Sequence, residues 1–397
     1  MTGAPAQARV TAAAQARVSS PPRAGLEERE RLVHDFTRLC SIESPSLHER
    51  SMADAVTAEL RAAGLDVEED GSAAAVGSDS GNLLARIPGP EGAHTVLLCA
   101  HLDTVPLAAP IDVVRDGGVL RNSNEGILGA DNKAAVAVLL GVARRLAREP
   151  PVGIELLFTT AEEPGLLGAK EVPRASLRSD FGFVFDHASP IGELILAAPS
   201  YFRIEARFHG AAAHAGIRPE DGRSAIVAAA RAVSLMRLGR LDEATTANAG
   251  VIEGGSATNV VAEHCRLELE VRSTDDEAAG RLAGEMVDAC AQAASEGECD
   301  IETSVEQLFR AYRLARTSAP VRAAAGALEA VGIEPSYVTT GGGSDAHALI
   351  AAGLPVLNVA NGTERNHQPD ESVTVEALVR MLDVTLHIVH ESAAVDP

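Results

Sequence analysis

Residues 97–103 read Leu97-Leu98-Cys99-Ala100-His101-Leu102-Asp103, an apolar run that ends on an imidazole and, two positions on, a carboxylate. Residues 95–100 have the length and composition of a buried strand. Two further apolar runs end in the same manner: 154–160 runs into Ala161-Glu162-Glu163-Pro164-Gly165, and 181–185 into Asp186. Between them, 131–148 is Ala/Val/Leu-rich and of helical length, and it opens on Asp131-Asn132-Lys133. Helical patterns at 27–39 and 48–63 and another strand-like run at 82–87 precede this region. Strands alternating with helices predict an α/β fold, a mostly parallel sheet flanked by helices. In such sheets ligands gather beyond the carboxyl ends of the strands, where these polar residues stand.

The pattern changes near residue 198. Residues 201–208 alternate as a strand, 218–238 read as a helix, 250–253 and 259–272 as strands, 275–296 as a helix and 300–308 as a strand. This β-α-β-β-α-β order is that of a small ferredoxin-like α+β unit. The first pattern then resumes through 354–359 and a last helix, 375–390. The predicted organisation is a catalytic domain made of 26–197 and 311–397, with a second domain inserted at 198–310. Residues 1–25, rich in Ala, Gln, Ser and Pro with no acidic residue, are read as a disordered tail.

Composition narrows the function. The 397 residues carry 34 Lys+Arg against 56 Asp+Glu, a net charge of −22, with 3% aromatics and no Trp. Such a surface repels phosphate backbones and has few rings for stacking bases, which excludes a general nucleic-acid binder. The longest apolar run, 134–143, is about half of the ~20 residues a membrane span needs. Five cysteines, Cys40, Cys99, Cys265, Cys290 and Cys299, show no C-x-x-C spacing and indicate neither a disulfide framework nor a thiolate zinc site. The expectation is a soluble, cytoplasmic chain with no membrane partner.

Taken singly the polar signals are weak, because Glu-Glu pairs also occur at 27–28 and 68–69 and a lone histidine is often a core residue. Their combination carries more. A metal-binding imidazole needs its second nitrogen held by an acceptor, and Asp103, two residues beyond His101, can supply it. Histidine plus several carboxylates suits a pair of Zn²⁺, Co²⁺ or Mn²⁺ ions, with one carboxylate bridging and a second histidine, His367, completing the set. Of the adjacent Glu162 and Glu163, one can point away as a general base. No H-E-x-x-H, G-x-S-x-G or phosphate-loop ending occurs.

The ordered segments L-L-C-A-H-L-D-T-V-P (97–106), G-A-D-N-K-A (129–134), T-A-E-E-P-G (160–165) and the late His367 resemble the co-catalytic zinc metallopeptidase family of peptidase T, glutamate carboxypeptidase, acetylornithine deacetylase and aminoacylase. The resemblance spans about 97–367. It implies two divalent ions per subunit, most simply zinc with cobalt or manganese as alternatives. His101 and Asp186 would bind one ion, Glu163 and His367 the other, and Asp131 would bridge them. Asp103 would orient His101, and Glu162 would be the general base. Asp186 is preferred to the neighbouring His187 because the family uses a carboxylate there. A cis peptide at Asp131-Asn132 is implied as well. The inserted domain would be a dimerisation lid whose His214, in Ala213-His214-Ala215-Gly216, reaches the partner's site to stabilise the oxyanion. Asn259 and Arg272 would meet the substrate's polar end, and Gly342 and Gly343, in Gly341-Gly342-Gly343-Ser344-Asp345-Ala346, would let its backbone approach closely.

Within this family an aspartate at the position of Asp186 is commoner in the aminopeptidase and tripeptidase branches. The D-N-K-A and D-H-A-S-P-I-G stretches also resemble peptidase T-like proteins. The expected function is therefore a dinuclear exopeptidase acting on short peptides as a homodimer. The 30-residue interval from His101 to Asp131 is shorter than in the tripeptidase and weakens a strict tripeptide expectation. The alternatives are an N-acyl amino acid amidohydrolase or carboxypeptidase of the same family, and a non-catalytic paralogue that binds peptides or builds an assembly.

Overall fold

A computed structural model describes residue 21 and residues 23–397. Its main element is a nine-stranded sheet, running Val67–Glu69, Leu83–Ile87, Gly153–Thr159, Thr95–His101, Phe181–His187, Val356–Ala360, Glu193–Ala198 and Tyr312–Arg313, with Ser336–Thr339 paired beside Glu193–Ala198. The four central strands, from Gly153–Thr159 to Val356–Ala360, are parallel. The flanking strands return antiparallel, so the sheet is mixed at its edges.

Continuous apolar runs follow from burial on both faces. Leu98, Ala100, Leu156 and Phe158 face a core shared with helices Leu26–Cys40, Ala130–Leu146 and Val375–Ser392. Leu97, Cys99 and Leu157 face the opposite way, toward Leu349 of the helix Asp345–Ala351. In the helix Ala130–Leu146 the residues from Ala134 to Ala143 are all buried, which explains a stretch with almost no amphipathic stripe.

A second, antiparallel sheet orders Gly239–Arg240, Thr245–Gly254, His264–Ser273, Ser200–His209 and Asp300–Phe309. Helices Ala225–Leu235 and Asp276–Glu296 cover one face, packing on Ile204, Ala206, Phe208, Leu267, Leu269 and Val271. The other face carries charge pairs such as Arg203–Glu306 and Arg266–Glu268. A third, small sheet joins Val113–Asp116 and Val119–Asn122 to Ser372–Thr374 and Thr363–Glu364, tying the segment around His367 to the chain before Asp131.

Several local expectations are corrected. The helix expected over 218–238 begins only at Ala225: Pro219–Asp221 forms a separate 3-10 turn, and Ser224 Oγ caps the helix by accepting from Val227 N at 3.3 Å. The strand expected over 259–272 begins at His264, because Val261 N donates to Ala213 O at 2.9 Å and turns 259–263 toward the His214 segment. The helix expected from Asp131 becomes regular only after Asn132, both residues having non-helical backbones, and the peptide between them is cis, as the family resemblance implied. Periodicity also missed the strands Glu193–Ala198 and Ser336–Thr339 and the third sheet.

Most of the predicted tail lies outside the described residues. Its last part belongs to the packed chain: Ala24 is buried and its N–H donates to Asp383 Oδ1 at 2.8 Å. Core packing of Ala24 and hydrogen bonds to Asp383 and from Arg29 override the composition there. Among the described residues no helix is long and apolar enough to cross a membrane. All five cysteines are buried free thiols.

Candidate metal centre

His101 is the last residue of its strand, so its ring leaves the sheet at the carboxyl edge. Its Nδ1 lies 3.0 Å from the carbonyl oxygen of Asp103 and 3.4 Å from Asp103 Oδ1. A proton on Nδ1 serves both acceptors and leaves Nε2 as the outward lone pair. That Nε2 lies 3.3 Å from Asp131 Oδ1 and 3.7 Å from Asp186 Oδ1. On the far side of the same carboxylate, His367 Nε2 stands 3.2 Å from Asp131 Oδ2 and 3.0 Å from Glu163 Oε1. Asp131 therefore presents one oxygen to each imidazole.

The elements that hold these groups are distant in sequence. Asp131 sits in the turn after Gly129, whose φ of +70° is left-handed. Glu162 and Glu163 follow the strand Gly153–Thr159, and their backbone N–H groups donate to the two oxygens of Asp103 at 2.9 and 3.1 Å. Asp103 also accepts from Ser46 Oγ at 2.7 Å, and Glu49 Oε1 accepts from Ala161 N at 3.0 Å. One buried aspartate thus orients both the first histidine and the Glu-Glu pair.

Electrostatics agree with a site built for positive charge. Burial opposes charge on His101, yet the carboxylates of Asp103, Asp131 and Asp186 around it hold the imidazole well above its usual range. His367 is pushed up to about 10 by Asp131 and Glu163. Burial and then the charge of Asp186 raise Glu162 well above an ordinary carboxylic acid. Burial likewise raises Asp345, behind the centre, to about 7.

The donor set fits a pair of divalent ions. When the facing Nε2 atoms carry no proton, Asp131 Oδ1 and Glu163 Oε1 are buried without a donor, a costly state unless something else satisfies them. Four-coordinate ions with ligands at ~2.0–2.1 Å set neighbouring donors about 3.3 Å apart, close to the separations of 3.0–3.7 Å found here. The donors of His101, Asp131 and Glu163 lie within 4.8 Å of one another, as do those of His101, Glu162 and Asp186. His187 stands apart, its Nε2 3.9 Å from Glu193.

A cleft of about 470 Å³ opens over these groups. Arg272, Gly342 and Gly343 line it together with Asp131, Glu162, Glu163, Asp186 and His367. Arg272 stacks 4.3 Å over the Tyr201 ring and donates to Gly341 O at 3.0 Å, while its Nε is buried without a partner. A Cβ at Gly343 would meet the Phe309 ring at 2.5 Å, so only glycine fits that wall. His214 and Asn259 are not brought to this cleft within the chain. Both are exposed and adjoin each other, Ala215 N donating to Asn259 O at 3.0 Å.

Reading the sequence missed Ser46, Glu49 and Glu371. Glu371 accepts from Leu128 N, Gly129 N and Asp131 N at 2.8, 2.8 and 2.9 Å. Its only sequence signal is an acidic residue four positions after His367; nothing local reveals three donors some 240 residues earlier.

Comparisons with known proteins agree with this geometry. The family profile "Peptidase family M28" matches residues 82–198, and "Peptidase dimerisation domain", of the M20 type, matches 200–298. YqjE of Bacillus subtilis is 33% identical over 366 residues, covering 92% of this chain and 99% of its own. A tripeptidase structure from Staphylococcus aureus is 33% identical with a TM-score of 0.86, covering 92% of this chain and 99% of that one. An aminopeptidase PepT structure from Bacillus cereus is 34% identical with a TM-score of 0.82, over the same shares of the two chains. With a dimerisation-domain match, near-complete relatives at a third identity and carboxylates and histidines converging at the sheet edge, the chain belongs to the M20 family of metallopeptidases, the family of peptidase T.

Proposed function

We propose that the protein is a dinuclear metal-dependent exopeptidase that hydrolyses short peptides with a free amino terminus. The observation that carries this is the carboxylate of Asp131, whose two oxygens face His101 and His367 at 3.3 and 3.2 Å, the arrangement of two ion sites sharing one ligand. The names of the relatives, a tripeptidase and an aminopeptidase, support the substrate class.

His101 and Asp186 would hold one ion, Glu163 and His367 the other, with Asp131 between. Bound there, the ions supply an acidified water and a polarised carbonyl. Asp103 keeps His101 in the tautomer that presents Nε2 and holds the Glu162–Glu163 backbone in place. Glu162 would take the proton of the attacking water and pass it to the leaving amine, the role a positioned carboxylate fills, and burial raises its carboxyl above the ordinary range. Arg272, with Gly342 and Gly343, would meet the peptide's polar end and backbone. His214 and Asn259 would act from the lid, 198–310, of a second copy. A second reading follows from Glu162 lying among the donors of His101 and Asp186, which would make it a ligand.

The test is amide hydrolysis, with Zn²⁺, Co²⁺ or Mn²⁺ supplied, on matched short peptides with free or blocked amino termini and on N-acetyl amino acids. Cleavage confined to free-amine peptides is expected. Preference for acylated substrates would instead assign an amidohydrolase or carboxypeptidase, and metal uptake without any turnover would assign a binding paralogue.

A further inference from the structure

Glu371 lies outside the donor set, yet it is 1% exposed and spends its whole carboxylate on one turn. Oε2 accepts from Leu128 N and Gly129 N, both at 2.8 Å, and Oε1 accepts from Asp131 N at 2.9 Å. Gly129 is left-handed, Asp131 has φ −83° and ψ 105°, and the helical backbone resumes only after Asn132. Leu128 and Ala130 are fully buried, so water cannot replace a lost acceptor cheaply.

The other end of Glu371 is equally anchored. Its own N–H donates to Gln368 O at 3.0 Å, and Gln368 N donates to Arg365 O at 3.1 Å, closing the turns that carry His367. The strand Ser372–Thr374 begins at the next residue and pairs with Val119–Asn122. Asn122 in turn donates to Ile127 O at 2.9 Å, just before the clamped turn. One side chain therefore joins the loop of the late histidine to the loop of the shared carboxylate.

We propose that Glu371 is a positioning residue that sets Asp131 and His367 in register, so that the second ion finds its ligands already placed. The inference rests on the dinuclear reading above. A carboxylate is required by the donor count: glutamine offers one acceptor oxygen, and its amide N–H groups would face a backbone N–H. Aspartate reaches one methylene less far.

The test titrates metal-free wild type, Glu371→Gln and Glu371→Asp with Co²⁺, following visible absorption and heat. Wild type should take up two ions. In folded Glu371→Gln the second ion should bind about 10- to 100-fold more weakly, the usual cost of removing a group that supports metal ligands, with the first ion less affected. Wild-type affinity for both ions in a folded variant overturns the proposal.

Should both variants fail to fold, hydrogen exchange on metal-free wild type decides. The amides of Leu128, Gly129 and Asp131 should be protected before any ion is added; exchange as fast as in an exposed loop overturns a preformed clamp. Failure of the dinuclear reading has its own signature: wild type that binds no second ion while these amides stay protected. That result would reduce Glu371 to a structural clamp.

Discussion

The His101 edge of the nine-stranded sheet and the His214 segment of the five-stranded sheet both carry histidines set in short motifs, but they are built in opposite ways. At the first, the His101 side chain is 1% exposed and its ring is held on both sides, by Asp103 behind and Asp131 in front. At the second, His214 is exposed, and its recorded partner is the N–H of Gly216, 3.2 Å from Nδ1. Buried polar groups must be satisfied, so the first site fixes its own geometry; the exposed ring is held, among the described residues, only by one local contact two residues away. Under the proposed function, the first site would be assembled within one copy and the second would act on the site of another.

The sharpest way to break this contrast is at its complete end. Glu162→Ala should lower turnover by about 10²- to 10⁴-fold, the range for a lost general base, while two ions per chain remain by elemental analysis. Loss of an ion together with activity would instead make Glu162 a ligand and transfer the base to Glu163. At the incomplete end, His214→Ala should cost about 10²- to 10³-fold in kcat, as for an oxyanion donor, with metal content unchanged. Mixing inactive Glu162→Ala with inactive His214→Ala subunits should then recover part of the activity, since one of the two sites in a mixed pair has both groups intact. No recovery after verified subunit exchange would remove His214 from the chemistry.

The smallest effect concerns stability behind the cleft, where His347 packs against Phe309. His347 is buried, with its ring nitrogens 3.1 Å from the carbonyl oxygens of Ser344 and Pro199, and burial pulls it down to about 4. The unfolded chain takes up this proton near pH 6.5, the folded one only near 4. The associated stability is fully present above pH 6.5 and is lost as the pH falls through the folded value, by at most about 3 kcal/mol. Denaturant titrations at pH 7 and pH 4.5 should show His347→Gln losing less stability between them than wild type does. An unchanged difference would mean that other groups set the acid limb.

How much was legible follows from what each group needs. His101, Asp131, Glu162, Glu163 and Asp186 could be read because each stands where an apolar run stops or a helix opens, and a short-range pattern marks such places. The two-faced burial that makes 154–160 and 181–185 continuously apolar is local information as well. Gly239 with φ +85° and the Pro219 turn, which together confine the helix expected over 218–238, are punctuation that the apolar pattern of that stretch outweighed.

Sequence alone thus determined the element types through most of the chain and the chemical class of the side chains gathered at the sheet edge, since strand burial and side-chain type are properties of short segments. Only the tertiary structure decided that Asp131 faces His101 with one oxygen and His367 with the other, that Asp103 holds both a ring and a backbone, and that Glu371 closes the turn from 240 residues away. The physical reason is that a buried hydrogen bond depends on where two backbones meet in space, and chain separation carries no record of it.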